Sequence, residues 1–182
     1  MKHIKNLLSR MWKNSDLQQR HAFRFTYPQR TIQIANQEID VYQANPNHIK
    51  NLLALEREVY GETPWEKSAF LHEFTSSLPH LYLCVFANEQ LVGFSGVRVF
   101  RQDGHVTNII VSPSYQNSGI GTLMMQELER FSRQQTCVSM SLEVRKSNLD
   151  AQRFYRKLQF TTTLVKPNYY EREDALEMRK WL

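Results

Sequence analysis

The residues best suited to chemistry in this chain open with a short run, Gln116-Asn117-Ser118-Gly119-Ile120-Gly121, set between a strand-like segment ending at Val111 and a helical one. A turn that frees several backbone N–H groups at a helix N-terminus is an anion site, because those donors have no partner inside the helix. Glycines at 119 and 121 allow unusual backbone angles and let a phosphate come close to the main chain. No Gly-Lys-Ser/Thr follows, which excludes a Walker loop, and the third glycine of the dinucleotide fingerprint is missing. Glu143 stands near the end of a strand-like run; read alone it is a strand-end carboxylate paired with Arg145 or Lys146. Tyr155 lies on a helical stretch, where an aromatic side chain is ordinarily core, as its neighbour Phe154 is expected to be.

The elements that must position these groups follow from the hydrophobic pattern. Ile4, Leu7, Leu8, Met11 and Trp12 recur at helical spacing, and Phe23, Phe25 and Tyr27 alternate as a brief extended piece. Residues 31–35 and 39–44 read as strands. Ile49, Leu52, Leu53, Leu55 and Val59 make a helix stopped near Gly61, and a second helix is expected to begin at Pro64 and run toward Pro79. Residues 81–87, 91–100 and 106–111 form an antiparallel meander with turns at Asn88-Glu89-Gln90 and Asp103-Gly104. Residues 119–134 are helical, 138–144 a strand, 149–158 a helix, 160–165 a strand and 175–181 a closing strand. The order is that of a mixed α/β sheet whose later strands are joined through helices.

With 182 residues, 41% of them hydrophobic, the chain suits one domain with a sizeable core. No apolar stretch is long enough to span a bilayer, and the N-terminus lacks the apolar core of a secretory signal. Cys84 and Cys137 lie in apolar runs and read as buried free thiols of a reducing, cytoplasmic compartment. His3, His21, His48, His72, His80 and His105 are scattered without ligand spacing, so no metal is expected. The net charge of +5 is uneven: residues 1–35 carry Lys2, Lys5, Arg10, Lys13, Arg20, Arg24 and Arg30 against Asp16 alone, while the rest carries 16 basic and 17 acidic side chains. A basic arm of this kind is drawn to RNA, ribosomes or anionic lipid, or it packs on its own domain.

In context the loop resembles the acetyl-CoA motif of the GCN5-related N-acetyltransferases, Gln/Arg-x-x-Gly-x-Gly/Ala. Asn108-Ile109-Ile110-Val111-Ser112-Pro113-Ser114-Tyr115-Gln116 is similar to the strand and turn before that motif in the bacterial ribosomal-protein alanine N-acetyltransferases. Leu142-Glu143-Val144-Arg145, Ser147-Asn148, Phe154-Tyr155 and Leu158-Gln159-Phe160 resemble that group's second half. Asn168-Tyr169-Tyr170 with Glu173-Asp174-Ala175-Leu176 and Met178 extends the match, and Pro64-Trp65 with Phe70 looks like its first-helix region. The resemblance covers about residues 40–180. It implies a mixed, mostly antiparallel sheet of six to seven strands flanked by helices, with residues 1–35 as a basic extension and 36–182 as the catalytic domain.

The same resemblance implies acetyl-CoA as co-substrate. Its pantetheine arm would meet the backbone of Ile109, Ile110 and Val111. Its pyrophosphate would meet Gln116, Asn117, Ser118, Gly119, Ile120, Gly121 and Thr122, with Asn148 as a further contact. Relatives often carry Arg at position 117; Asn there shifts the load to backbone dipoles. Glu143 takes the general-base position and Tyr155 that of the acid that protonates the departing thiolate. Cys137, at a strand start and far in sequence from any obvious base, makes a covalent acetyl-enzyme the poorer reading. The implied acceptor is the N-terminal amine of a protein, a small-subunit ribosomal protein with N-terminal alanine. A monomer is the default expectation, and the basic arm, which lies outside the resemblance, offers a contact to the ribosome through its charge. Two other readings use the same features: a small-molecule amine acetyltransferase, and a ribosome- or RNA-associated binding protein on a retained scaffold. Glu143 and Tyr155 are both present, which favours an active enzyme.

Overall fold

In the computed structural model the described residues are 24–34, 36–170 and 173–182. The amphipathic helix expected in the first twelve residues lies outside them. The elements are β1 (Arg30–Ile34), β2 (Gln37–Gln43), a 3-10 turn (Pro46–His48), α1 (Ile49–Tyr60), α2 (Lys67–Phe74), β3 (His80–Ala87), β4 (Gln90–Phe100), β5 (Asp103–Val111), a 3-10 turn (Pro113–Tyr115), α3 (Ile120–Gln134), β6 (Ser139–Arg145), α4 (Leu149–Lys157), β7 (Thr161–Tyr170) and β8 (Glu173–Trp181). Among the described residues the strands number eight, as the hydrophobic pattern predicts and close to the six to seven that the resemblance implies, and the short β1 pairs along its full length with β2. The chain folds as two compact units that divide within β6, one ending at Met140 and one spanning Ser141–Trp181.

In the first unit β1 to β5 form an antiparallel meander in chain order. The β3–β4 hairpin turns through Asn88 and Glu89, both with positive φ (48° and 63°), the twist that suits a two-residue hairpin loop. Alternation along β4 sorts the two faces. Phe94 joins Leu52 and Leu55 of α1, Phe70 of α2 and Ile110 of β5 in one apolar cluster. On the opposite face a Cβ at Gly93 would meet Ile120 and Met124 of α3. Cys84, at the centre of β3, is fully buried, and burial pushes its thiol far above the ordinary range. The sequence pattern starts β5 at 106; the strand in fact begins at Asp103 and contains a bulge. Gly96 pairs with Asn108 but Val97 pairs with Val106, so Thr107 is an extra residue.

α1 ends at Gly61 (φ 73°), where a left-handed cap closes the last turn. α2 starts at Lys67, three residues beyond the expected Pro64, and stops at Phe74, well short of Pro79. The cause of the late start is visible. Trp65 N–H donates to the Glu56 carboxylate of α1 at 3.1 Å, which ties the connecting segment to the first helix before the second can begin. Glu56 is only 1% exposed, and burial pushes its carboxyl up to about 7, with the Trp65 N–H pulling it partly back. The folded chain therefore holds this proton more tightly than the unfolded chain does. The stability so contributed is full below the ordinary carboxylate range and is lost as pH rises through about 7. Glu56→Gln, neutral at every pH, is expected to melt above the parent at pH 8 and level with it at pH 5. Melting curves of both proteins across that interval check this.

In the second unit the strand order is β6-β8-β7. β7 and β8 are antiparallel, with irregularities between Thr162 and Leu164 and between Lys166 and Tyr170. β7 runs on to Tyr170, past the expected end at 165, so Asn168, Tyr169 and Tyr170 stand on a long hairpin and not in a loop. α4 follows a turn held by Gln152, whose amide donates to the carbonyls of Arg145 (3.2 Å) and Lys146 (2.9 Å).

Candidate functional site

The loop after β5 begins at Ser112, whose hydroxyl donates to Glu58 of α1 at 2.6 Å and so fixes the chain direction out of the strand. Gln116 folds back, its amide donating to the Val111 carbonyl at 3.1 Å. Asn117 (φ 58°) and Gly119 (φ 100°) both occupy the left-handed region, and the Ser118 hydroxyl donates to the Tyr115 carbonyl at 2.5 Å. The result is a tight crown in which the Gln116 and Ser118 side chains are both satisfied by nearby main-chain carbonyls. Gly119 caps α3 with no side-chain hydrogen bond, and the first turn of that fifteen-residue helix holds no acidic residue. The first N–H groups of the helix therefore lack a capping side chain, and no carboxylate in that turn repels an anion. This arrangement fits a pyrophosphate bound through main-chain dipoles, with Asn117 adding no cation.

Of the strand residues expected to hold the rest of the cofactor, Ile110 is buried in the core cluster, so only its backbone is available. Ile109 and Val111 are half-buried. Asn148 caps α4, its side-chain oxygen accepting the Ala151 N–H at 3.0 Å, which leaves its amide N–H₂ as the group able to reach a ligand.

The second unit brings Glu143 into a cluster that neighbouring residues do not predict. Arg145 pairs with Glu173 (3.2 Å) and Lys146 with Asp174 (3.5 Å), so neither is the ion-pair partner read from the sequence. Glu143 is bound by Lys166 of β7, at 2.5 Å, and the same ammonium reaches Glu177 of β8 at 2.9 Å. Burial lowers the Lys166 pKa, but the two carboxylates outweigh it and hold it above the ordinary lysine value. Lys166 also lies over the Tyr169 ring, and Tyr170 O–H lies 3.5 Å from the Glu143 carbonyl. Burial, then the Glu143 charge, push the Tyr169 hydroxyl far up, so it is a neutral donor at any working pH. Tyr155 is 8% exposed and packs against Phe154 and Phe160 (centroids 5.3 and 6.1 Å).

Sequence reasoning missed Lys166, Glu58, Thr107 and the unusual state of Asn108. Both amide atoms of Asn108 are buried with no hydrogen-bond partner among the described residues. Lys166, Thr107 and Asn108 needed strand register to be found, and Glu58 needed the contact of α1 with the loop after β5, neither of which spacing along the chain shows. Among the described residues no group of three His, Cys, Asp or Glu side chains is placed to hold a metal.

Comparison with known proteins agrees with this architecture. The sequence model of the acetyltransferase (GNAT) family matches residues 47–160. A Mycobacterium tuberculosis protein named N-alpha-acetyltransferase RimI is 34% identical over 133 residues, covering 69% of this chain and 82% of its own. A Salmonella typhimurium protein named [ribosomal protein bS18]-alanine N-acetyltransferase is 29% identical over 119 residues, 63% of this chain and 79% of its own. The crystal structure of the ribosomal-protein-S18-alanine N-acetyltransferase from Escherichia coli superposes with a TM-score of 0.70 at 24% identity, covering 79% of this chain and 93% of that one.

Proposed function

Since the chain belongs to the acetyltransferase (GNAT) family and is an acetyl-CoA-dependent N-acetyltransferase, we propose that its acceptor is the α-amine of a protein, in particular an N-terminal alanine of a small-subunit ribosomal protein. The observation that carries this reading is the M. tuberculosis relative named for Nα-acetylation, similar along four-fifths of its own length. The β7–β8 hairpin supports it, since it sets Tyr169 and Tyr170 beside Glu143, where paired aromatic rings would wall an extended peptide.

The chemistry asks for a neutral amine, a polarised carbonyl and a proton for the thiolate. Glu143 accepts the amine proton, directly or through a water. An α-amine of pKa about 7.7–8.0 needs only a modest base, so a carboxylate already engaged by Lys166 is adequate. Tyr155 donates its hydroxyl proton to the departing sulfur. The amides of Asn117 to Thr122 hold the pyrophosphate, the backbone of Ile109, Ile110 and Val111 holds the pantetheine arm, and Asn148 is a further cofactor contact. The C–N bond forms as the C–S bond breaks, with no acetyl-enzyme. The protein works as a cytoplasmic monomer, and residues 1–35, with their seven basic side chains, assist docking on the ribosome.

The test is mass spectrometry of protein N-termini in cells with and without the enzyme. Loss of acetylation confined to a small-subunit ribosomal protein that begins with alanine is the expected result. Unchanged N-termini, together with acetylation of a polyamine or aminoglycoside by the purified enzyme, would transfer the assignment to a small-molecule acceptor.

A further inference from the structure

We propose that a buried chain of hydrogen bonds, Thr107–Tyr82–Glu73–Arg98, locks the bulge of β5 in place, with Thr107 and Tyr82 as positioning residues for acetyl-CoA. This rests on the reading of Ile109, Ile110 and Val111 as the backbone that binds the pantetheine arm.

The bulge decides which way that backbone faces. Before it, Gly104 and Val106 pair with Val99 and Val97, and a Cβ at Gly104 would touch Ser132 of α3. After it, Asn108 and Ile110 pair with Gly96 and Phe94, and Ile110 joins the cluster under α1. One extra residue thus moves even-numbered side chains from one face of the sheet to the other. Sliding the bulge toward Val111 would exchange the faces of every residue it passed and turn the cofactor strand over.

A backbone ladder alone marks the place of a bulge weakly, so a side chain must mark it. Asn108 does not, since both its amide atoms lack partners among the described residues. Thr107, the extra residue, does: its hydroxyl donates to the Tyr82 hydroxyl at 3.3 Å. Tyr82 O–H donates in turn to Glu73 Oε2 at 2.5 Å, and Arg98 Nη1 donates to Glu73 Oε1 at 2.7 Å. The chain draws on α2, β3, β4 and β5, and Glu73, Tyr82 and Arg98 are each at most 3% exposed. The path is open because residue 96 is glycine; a Cβ there would lie 2.1 Å from the Tyr82 ring. A buried ion pair is a poor source of stability, because well-packed apolar side chains of the same volume do as well or better. Its worth here is geometric. It anchors Tyr82 O–H, and Tyr82 O–H marks Thr107.

The experiment uses the full chain and the variants Thr107→Val, Thr107→Ser and Tyr82→Phe, with two readouts. In protein without cofactor, hydrogen exchange at residues 108–111 is expected to rise about fivefold in Thr107→Val, the loss of one neutral hydrogen bond, and to stay at the parental rate in Thr107→Ser. Calorimetry should show acetyl-CoA binding about fivefold weaker in Thr107→Val and at least as much weaker in Tyr82→Phe, while kcat at saturating acetyl-CoA holds within about twofold. Parental exchange in a folded Thr107→Val, or equal effects of valine and serine, would overturn the lock. Should Tyr82→Phe fail to fold, the Thr107 pair decides alone. A parent that binds no acetyl-CoA would overturn the cofactor reading, and the exchange readout would still judge the lock.

Discussion

Glu143→Gln is expected to lower turnover on an alanine-starting peptide by about 10²-fold or more, the usual cost of removing a positioned base. Glutamine keeps the size of the side chain and can still accept from Lys166 and Tyr169, so the β7–β8 hairpin should retain its place and acetyl-CoA affinity should change little. The defect should shrink as pH rises, because above about 7.7–8.0 the acceptor amine is already neutral. Tyr155→Phe keeps the packing against Phe154 and Phe160 and removes only the proton donor. Its loss is expected to be of similar size, yet raising pH should not relieve it. Lys166→Met serves as the control, since it breaks the ion pair and leaves the carboxylate in place; its turnover should fall by less than about tenfold. PH–rate profiles of the three variants under saturating acetyl-CoA separate these outcomes. Near-parental turnover in both Glu143→Gln and Tyr155→Phe would mean that the enzyme works by positioning its reactants alone.

Gly119→Val is expected to weaken acetyl-CoA binding about 100-fold or more, equal to losing two charge-assisted hydrogen bonds at about 1.5 kcal/mol each. At φ 100° a β-branched residue is strained, while the nearest atom to its Cβ would be Ile34 Cγ2 at an ordinary 3.5 Å. Room is available but the backbone conformation is not, so the chain should relax at residue 119 and swing the following N–H groups away from a common focus. Gly119→Asn, whose side chain tolerates the left-handed region, should keep much of the affinity. Calorimetry on the folded variants checks the order glycine, asparagine, valine. Parental affinity in a folded Gly119→Val would remove the loop from the phosphate site.

The strands and helices that carry regular periodicity were legible from the residues. The β3–β4 hairpin followed from its apolar runs on either side of Asn88-Glu89, and α3 from Ile120, Met124, Leu128 and Phe131 on one buried stripe. The departures share one cause, bonds between side chains and distant backbone or strands. The late start of α2 reflects Glu56 reaching Trp65, nine positions on. The length of β7 reflects its ladder with β8, with irregularities around Lys166 that hide Asn168 (φ 51°) inside a strand. Residues 106–111 looked like a plain strand because a bulge leaves no mark on composition. Glu143 was singled out by its resemblance to the family pattern, but its ion-pair partner was not. Arg145 and Lys146 were the near cations, and β8 draws both away through Glu173 and Asp174.

The sealed thiol at the centre of β3 gives the molecule an internal clock. Cys84 has no exposed surface, and its thiol is held in the unreactive protonated form, so an alkylating reagent can reach it only while the strand is open. Its labelling rate therefore counts openings of the sheet. A ligand that binds only the closed form lengthens the interval between them by a factor of one plus its concentration over Kd. The affinity of acetyl-CoA, or of a candidate acceptor peptide, can thus be read from the alkylation rate of a cysteine that touches neither, with no turnover required.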